Sequence, residues 1–230
     1  VIGGGGCGLS LSVFLADKNV DFITVERHEG TSILPKAHYL NPRTMEIFRE
    51  HGLADDIHAQ GTPSYNMSRT KWYTSFAGDR PVDGITVFEC GSLGGHGTDR
   101  FEWYRDCCPT VSANLPQLRL EPIILKHAKA RAPDSIRFNT ELIDFEQDSN
   151  GVIATVKNRA NGKTYNIHAK YMIGADAGKT VGPELGIRLE GPSKLITQVS
   201  VHFEADLSQH YPDDRVLLNW MKPFHRKGVS

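Results

Sequence analysis

Apolar and polar positions along the chain change rhythm several times, and each rhythm predicts a different element. Val1 and Ile2 read as the end of a buried strand. From Leu9 to about Lys18 the apolar residues Leu11, Phe14 and Leu15 recur at helical spacing. Asn19 tolerates the left-handed conformation that ends a helix, and Val20 to Val25, rich in β-branched and aromatic residues, reads as a second strand. This is a βαβ unit of a length suited to a parallel sheet. Asn41-Pro42 then makes a helix start, with Asn41 as N-cap and proline at the first helical position, and Gly52 supplies the stop, so a helix is predicted over 42–51.

From about Thr62 to Asn114 the chain is rich in Gly, Pro and aromatic residues without sustained periodicity. It reads as irregular loops and short strands, a substrate region inserted into a nucleotide-binding domain. Regularity returns at Gln117, where Leu118, Leu125 and Ala128 predict a helix to about Arg131, stopped by Pro133. The segments IRFNTELIDFEQ, GVIATVKNR and KTYNIHAKYMIGAD are strand-like and separated by Asn150-Gly151 and Asn161-Gly162, the strongest local hairpin signal. They predict a three-stranded antiparallel meander whose last strand runs into a buried YMIGA segment. Residues 195–206 and 215–220 read as further strands of a second sheet. The fold class is therefore α/β: a Rossmann-like βαβ domain over 1–60 and 110–190, with an antiparallel meander, and part of a substrate-binding β-sheet over 61–109 and 191–230.

Composition narrows the function classes. The 230 residues are 39% hydrophobic and 23% charged, enough for a sizeable core. With 26 basic against 27 acidic residues and no long run of one sign, the charge pattern argues against a nucleic-acid partner or a polybasic membrane protein. No apolar stretch approaches the roughly 20 residues that cross a bilayer, and the glycines interrupt the first apolar segment before it resembles a signal sequence. Cys7, Cys90, Cys107 and Cys108 lack ligand-type spacing, so a reducing, cytoplasmic setting with free thiols fits. Val1 already lies inside a strand, and the sequence reads as a piece of a longer chain.

The chemistry starts at once. Gly3, Gly5 and Gly8 fit G-x-G-x-x-G, which supplies a sharp exit from a strand, close backbone approach to a pyrophosphate, and tight helix–strand packing. The helix N-terminus adds free N–H groups and the positive end of its dipole. Glu26 ends the second strand roughly 20 residues beyond, where an acid accepts hydrogen bonds from a ribose diol and disfavours a 2′-phosphate. The expected ligand is FAD or NAD rather than NADP. Asp176 stands at the carboxyl end of a strand, where ligands of α/β sheets bind; capping the helix over 179–185 is the equally weighted alternative.

These motifs, followed in order by LPKAHYLNPRTMEIFREHGL, LPQLRLEPIILKHA and YMIGADAGKTVGPELGI, together resemble the group A flavoprotein aromatic hydroxylases, the phenol 2-monooxygenase and chlorophenol 6-monooxygenase type in particular. The resemblance implies that Gly3, Gly5 and Gly8 hold the FAD pyrophosphate and that Glu26 and Arg27 contact its adenosine half. Lys36 falls where the family often has an arginine near the flavin. Gln117 takes the helix position from which a Gln or Arg reaches FAD, with Arg119 a nearby substitute, and Asp176 takes the Asp of the family's Asp-Gly motif. Two departures stand out: Ala177 replaces the glycine after that aspartate, at a cost of roughly 1 kcal/mol if its φ is positive, and the family's second Gly-Asp motif is not in this sequence.

The activity implied is hydroxylation of a phenolic or polyketide-type aromatic compound with NADPH or NADH and O2, in secondary metabolism or aromatic degradation. His38, where phenol hydroxylases of this kind place an active-site acid, is the candidate base for the phenol, set against the reading of a plain loop histidine among ten. Tyr39, Trp72, Tyr73, Phe101, Trp103 and Tyr104 are candidate pocket aromatics, with core packing as the alternative. Two other functions stay open: an NAD-linked oxidoreductase sharing the nucleotide-binding unit, and a catalytically inactive, truncated relative acting as a partner or fragment. A homodimer is compatible with all of these.

Overall fold

The structure, a computed structural model, describes residues 1–76, 78–188, 190–192, 195, 197–207, 209–210 and 215–221. In chain order the elements are α1 (Gly6–Asp17), β1 (Thr24–Val25), β2 (Tyr39–Leu40), α2 (Pro42–Glu50), α3 (Ala54–Gln60), a 3-10 turn (Ser64–Met67), β3 (Arg69–Tyr73) and β4 (Thr86–Gly91). Then follow α4 (Asp99–Cys107), β5 (Ala113–Asn114), α5 (Gln117–Arg131), β6 (Ile136–Arg137), β7 (Thr140–Asp148), β8 (Gly151–Asn158), β9 (Thr164–Ala169), α6 (Val181–Glu184) and β10 (Val216–Met221). The chain divides into two compact units, one of Val1–Ala37 with Pro116–Ser200 and the other of His38–Leu115 with Val201–Ser230.

The first unit is an α/β layer arrangement around a small parallel sheet. Ile2 bridges Val25 on one side and Gly174 on the other, both parallel, and β1 pairs with β6, also parallel. Helix α1 connects the first two of these segments and packs on α5, with Leu9, Val13, Ile124 and Ala128 fully buried. A polar tie runs through this apolar layer: the Ser12 hydroxyl donates to the Gly8 carbonyl at 2.8 Å and meets the Thr24 hydroxyl at 2.7 Å, both side chains buried. The antiparallel meander β7-β8-β9 closes the other face of the core, where Ile2, Val25, Leu142, Ala154, Val156 and Val181 cluster.

The second unit is built separately. Asn41 caps α2, its side chain accepting from the Thr44 N–H at 2.8 Å, and α2 and α3 bury Met45, Phe48, Leu53 and Ile57. The sheet order is β10-β3-β4, with β3 parallel to β10 and antiparallel to β4.

Several expectations change. IRFNTELIDFEQ is two strands in two sheets, because Asn139 at φ 51 turns the chain out of β6 and into β7. The second strand is confined to Thr24–Val25. YMIGA is not buried: Met172 packs against the core, but Tyr171 and Ile173 are 86% and 44% exposed, since alternate side chains of an extended segment face opposite ways. Among the described residues of 195–206 there is no strand. The irregular stretch contains α4, whose only buried side chain is Phe101, so no apolar stripe announced it; its start is marked instead by Thr98, which accepts from the Phe101 N–H at 3.2 Å. The KPFHRKG segment lies outside the described residues.

Candidate functional site

A cavity of about 1030 Å³ opens within the first unit, and its lining brings together most of the residues singled out by pattern: Gly3, Gly5, Glu26, Arg27, Lys36, Gln117 and Asp176. Each is placed there by a local reason. Gly3 leaves the first strand at φ 108, and a Cβ on it would lie 2.5 Å from the Ala175 carbonyl oxygen. Gly8 does not line the cavity. A Cβ there would lie 1.8 Å from the Gly3 carbonyl oxygen, so its role is to let α1 fold back over the strand it has just left. At Gly5 the nearest atom to such a Cβ is Glu121 Oε1 at 3.6 Å, an ordinary contact, and the missing side chain uncovers backbone on the cavity side.

Sequence pattern passed over Gly4. Its N–H donates to Glu26 Oε2 at 2.7 Å, and a Cβ on it would sit 2.7 Å from the Glu26 Cβ. Glu26 Oε1 accepts from the His28 N–H at 2.9 Å and lies 2.6 Å from His28 Nδ1. Burial alone would raise the Glu26 pKa, but the N–H groups of His28 and Gly4 and the His28 ring outweigh it and hold the carboxyl below its ordinary value. The acid is thus ionised and fixed at the edge of the cavity.

Asp176 caps a helix start and also faces the cavity. It lines the cavity, and its carboxylate also accepts from the N–H groups of Thr180 at 2.6 Å, Val181 at 3.0 Å and Gly178 at 3.0 Å, fastening the start of α6. Burial pushes its pKa upward, and these backbone N–H groups more than offset that, leaving it below the usual value. Ala177 sits at φ 58, so the alanine in place of glycine does occupy a left-handed position.

Arg119 is exposed and is not brought to the cavity: two residues on from Gln117 around α5, it projects to the opposite side of the helix. Gln117 lines the cavity and donates its amide nitrogen to Glu121 Oε1 at 2.6 Å. Glu121 itself was missed by the sequence reading, although an acid one turn after Gln117 on the same stripe as Leu120 and Ile124 is a signal available from spacing alone.

His38 belongs to the second unit, where Nδ1 is hydrogen-bonded to Asn114 Oδ1; the Asn114 amide nitrogen donates to Thr62 Oγ1 at 2.7 Å. An amide oxygen only accepts, so Nδ1 carries the proton and Nε2 is the basic atom of the neutral ring. Of the candidate aromatics, Trp72 packs at a tilt against Phe88 and Trp103 against Tyr104, while Phe101 is buried against His96. A second cavity of about 580 Å³ in this unit is lined by none of the six candidates.

The first cavity fits a dinucleotide. Its floor is the bare backbone of Gly3 to Gly5, where a side chain on Gly3 or Gly4 would collide, a fixed acid stands at its edge, and exposed Arg27, Lys36 and Lys179 supply positive charge. Among the described residues no group of His, Cys, Asp or Glu is placed to hold a metal ion, and no helix is long and apolar enough to cross a membrane. All four cysteines are free.

Comparison with known proteins agrees with the cavity's chemistry. The profile of a family described as FAD binding domain matches residues 1–230. The chain is 35% identical to a 2,4-dichlorophenol 6-monooxygenase of Delftia acidovorans, covering 96% of this chain and 36% of that protein. It is 34% identical to a phenol 2-monooxygenase of Pseudomonas sp. (strain EST1001), over 92% of this chain and 32% of the relative. Among solved structures, the flavin-dependent monooxygenase PieE in complex with FAD and substrate superposes with a TM-score of 0.85 at 34% identity, covering 96% of this chain and 37% of that one. The chain thus spans about a third of the length of these relatives.

Proposed function

We propose, from the premise that this chain belongs to the FAD binding domain family, that its first unit holds FAD and that the protein hydroxylates a phenolic or polyketide-type aromatic compound with NADPH or NADH and O2. The observation carrying the cofactor reading is the glycine floor of the large cavity with Glu26 fixed beside it. The choice of an aromatic substrate is supported by likeness to a dichlorophenol and a phenol monooxygenase. The cofactor role falls to 1–37 with 116–200, and the substrate role to 38–115 with 201–230.

In this reading the backbone of Gly3 to Gly5 and the N-terminus of α1 receive the pyrophosphate, with Arg27 and Lys36 balancing its charge. Glu26 Oε2 and Oε1, held by Gly4 and His28, accept from the ribose diol. Gln117, with its nitrogen committed to Glu121, turns its amide oxygen to the ligand. Bound FAD supplies acceptance of hydride from the nicotinamide and activation of O2 for transfer of one oxygen atom to the ring. His38 Nε2 takes the phenolic proton, which raises the electron density of the ring carbons that are attacked; Asn114 keeps the ring in the tautomer that can do this.

The test is to express the protein, measure bound flavin by its absorbance, and follow NADPH consumption with a panel of phenols. Stoichiometric FAD and phenol-stimulated oxidation coupled to a hydroxylated product are expected, with kcat falling about 100-fold in His38→Ala. A colourless protein that binds NAD supports the NAD-linked oxidoreductase instead; bound FAD without phenol-stimulated turnover leaves the cofactor role and removes the hydroxylase.

A further inference from the structure

Glu121 is 1% exposed, and a carboxylate survives such burial only when its oxygens are partnered. Here both are. Oε1 accepts from the Gly6 N–H at 3.0 Å and from the Gln117 side-chain amide at 2.6 Å, and Oε2 accepts from the Ser32 N–H at 2.7 Å. The two backbone donors come from segments far apart in sequence that meet at this carboxylate. Gly6 begins α1 directly after the cavity-lining Gly3 to Gly5, and Ser32 is part of the 31–34 segment that also lines the cavity. That segment has no regular hydrogen-bonding of its own, yet it presents Ile33 and Leu34 at 88% and 61% exposure. An irregular segment that holds apolar side chains in the open needs an anchor, and Ser32 provides the attachment point.

We propose that Glu121 is a positioning residue for the dinucleotide: one buried carboxylate clamps the phosphate-binding end of α1 to the Ser32 segment and so fixes the placement of these two cavity-bordering segments relative to each other. The inference rests on the reading of that cavity as the FAD site. The chemistry suits the task because a carboxylate offers an acceptor on each side, whereas a glutamine offers an acceptor and a donor. Its negative charge is also favourable at the positive end of α1. The clamp touches no reacting atom; it acts through Gly6 and Ser32.

The test titrates wild type, Glu121→Gln and Ile124→Val with FAD, following quenching of flavin fluorescence, and records thermal melting of each protein without ligand. Ile124 is fully buried on the same helix and does not line the cavity. In E121Q the new NH2 faces one of the two backbone N–H groups, and the FAD dissociation constant should rise about tenfold. I124V should lower the melting temperature and leave that constant unchanged. The backbone amide resonances of Gly6 and Ser32 should move in E121Q and not in I124V. Ser32→Pro deletes the donor of one arm while leaving Glu121 in place; it should weaken FAD similarly, and it keeps the question answerable if E121Q does not fold. Unchanged FAD affinity in folded E121Q or S32P overturns the clamp, as does an equal loss in I124V. Failure of the wild type to bind FAD overturns instead the reading of the cavity on which the clamp depends.

Discussion

Two strand-to-helix turns leave the parallel sheet side by side, at Ile2 and at Gly174, and they solve the same problem differently. Both expose backbone to one cavity, and both use a carboxylate to hold backbone N–H groups: Glu26 for Gly4 and His28, Asp176 for Gly178, Thr180 and Val181. The first turn is crowded. Its glycines face the Ala175 carbonyl, the Glu26 side chain and, at Gly8, the Gly3 carbonyl at distances no Cβ tolerates. The second is open, with nothing within 4 Å of a Cβ on Gly178, and its left-handed residues are Ala177 and Gly178. Glycine is therefore required for space at Gly3, Gly4 and Gly8 of the first turn and merely favoured in the second for conformation, which is why an alanine is tolerated there.

That contrast can be broken or sharpened by substitution. The largest effect is expected for Gly8→Ala, whose new methyl meets a carbonyl oxygen of the backbone rather than a side chain that can swing away; urea unfolding should show a loss of about 3 kcal/mol. Glu26→Gln should cost about 2 kcal/mol near neutral pH by weakening the bonds from Gly4 and His28. It should also change the acid limb of the stability curve. A carboxyl whose folded pKa is depressed contributes stability that is complete above its ordinary value and is lost as pH falls through the lower folded value. In melting temperatures recorded below about pH 4.3, E26Q should therefore show a shallower decline than the wild type. The smallest effects belong to the open turn, where Ala177→Gly should gain and Gly178→Ala should lose about 1 kcal/mol each. Equal costs for G8A and G178A would erase the distinction between space and conformation.

How much of this was legible depended on whether a residue's task was local. Asn41-Pro42, the paired Asn-Gly turns and the bounds of α5 were readable because capping and turn chemistry act within a few residues. Gly3, Gly5, Gly8 and Glu26 were readable because their spacing follows from one βαβ unit. Gly4 was not, since what forbids a side chain there is Glu26, brought alongside only when the strands pair. Arg119 and Gln117 stand two residues apart in sequence, yet the helix directs only Gln117 to the cavity. Helix α4 buries one residue and carries no periodic signature, whereas 195–206 reads as a strand without forming one among its described residues.

The hydroxyl pair between α1 and β1 ties the evolution of two distant positions together. The Ser12 hydroxyl also has the Gly8 carbonyl as a partner, so losing Thr24 alone leaves Ser12 bonded, whereas losing Ser12 alone removes the partner of the buried Thr24 hydroxyl. The route from a polar to an apolar seam beneath the glycine turn thus has a preferred order, Thr24 first and Ser12 second, and sequences should carry a hydroxyl at 24 only where one stands at 12.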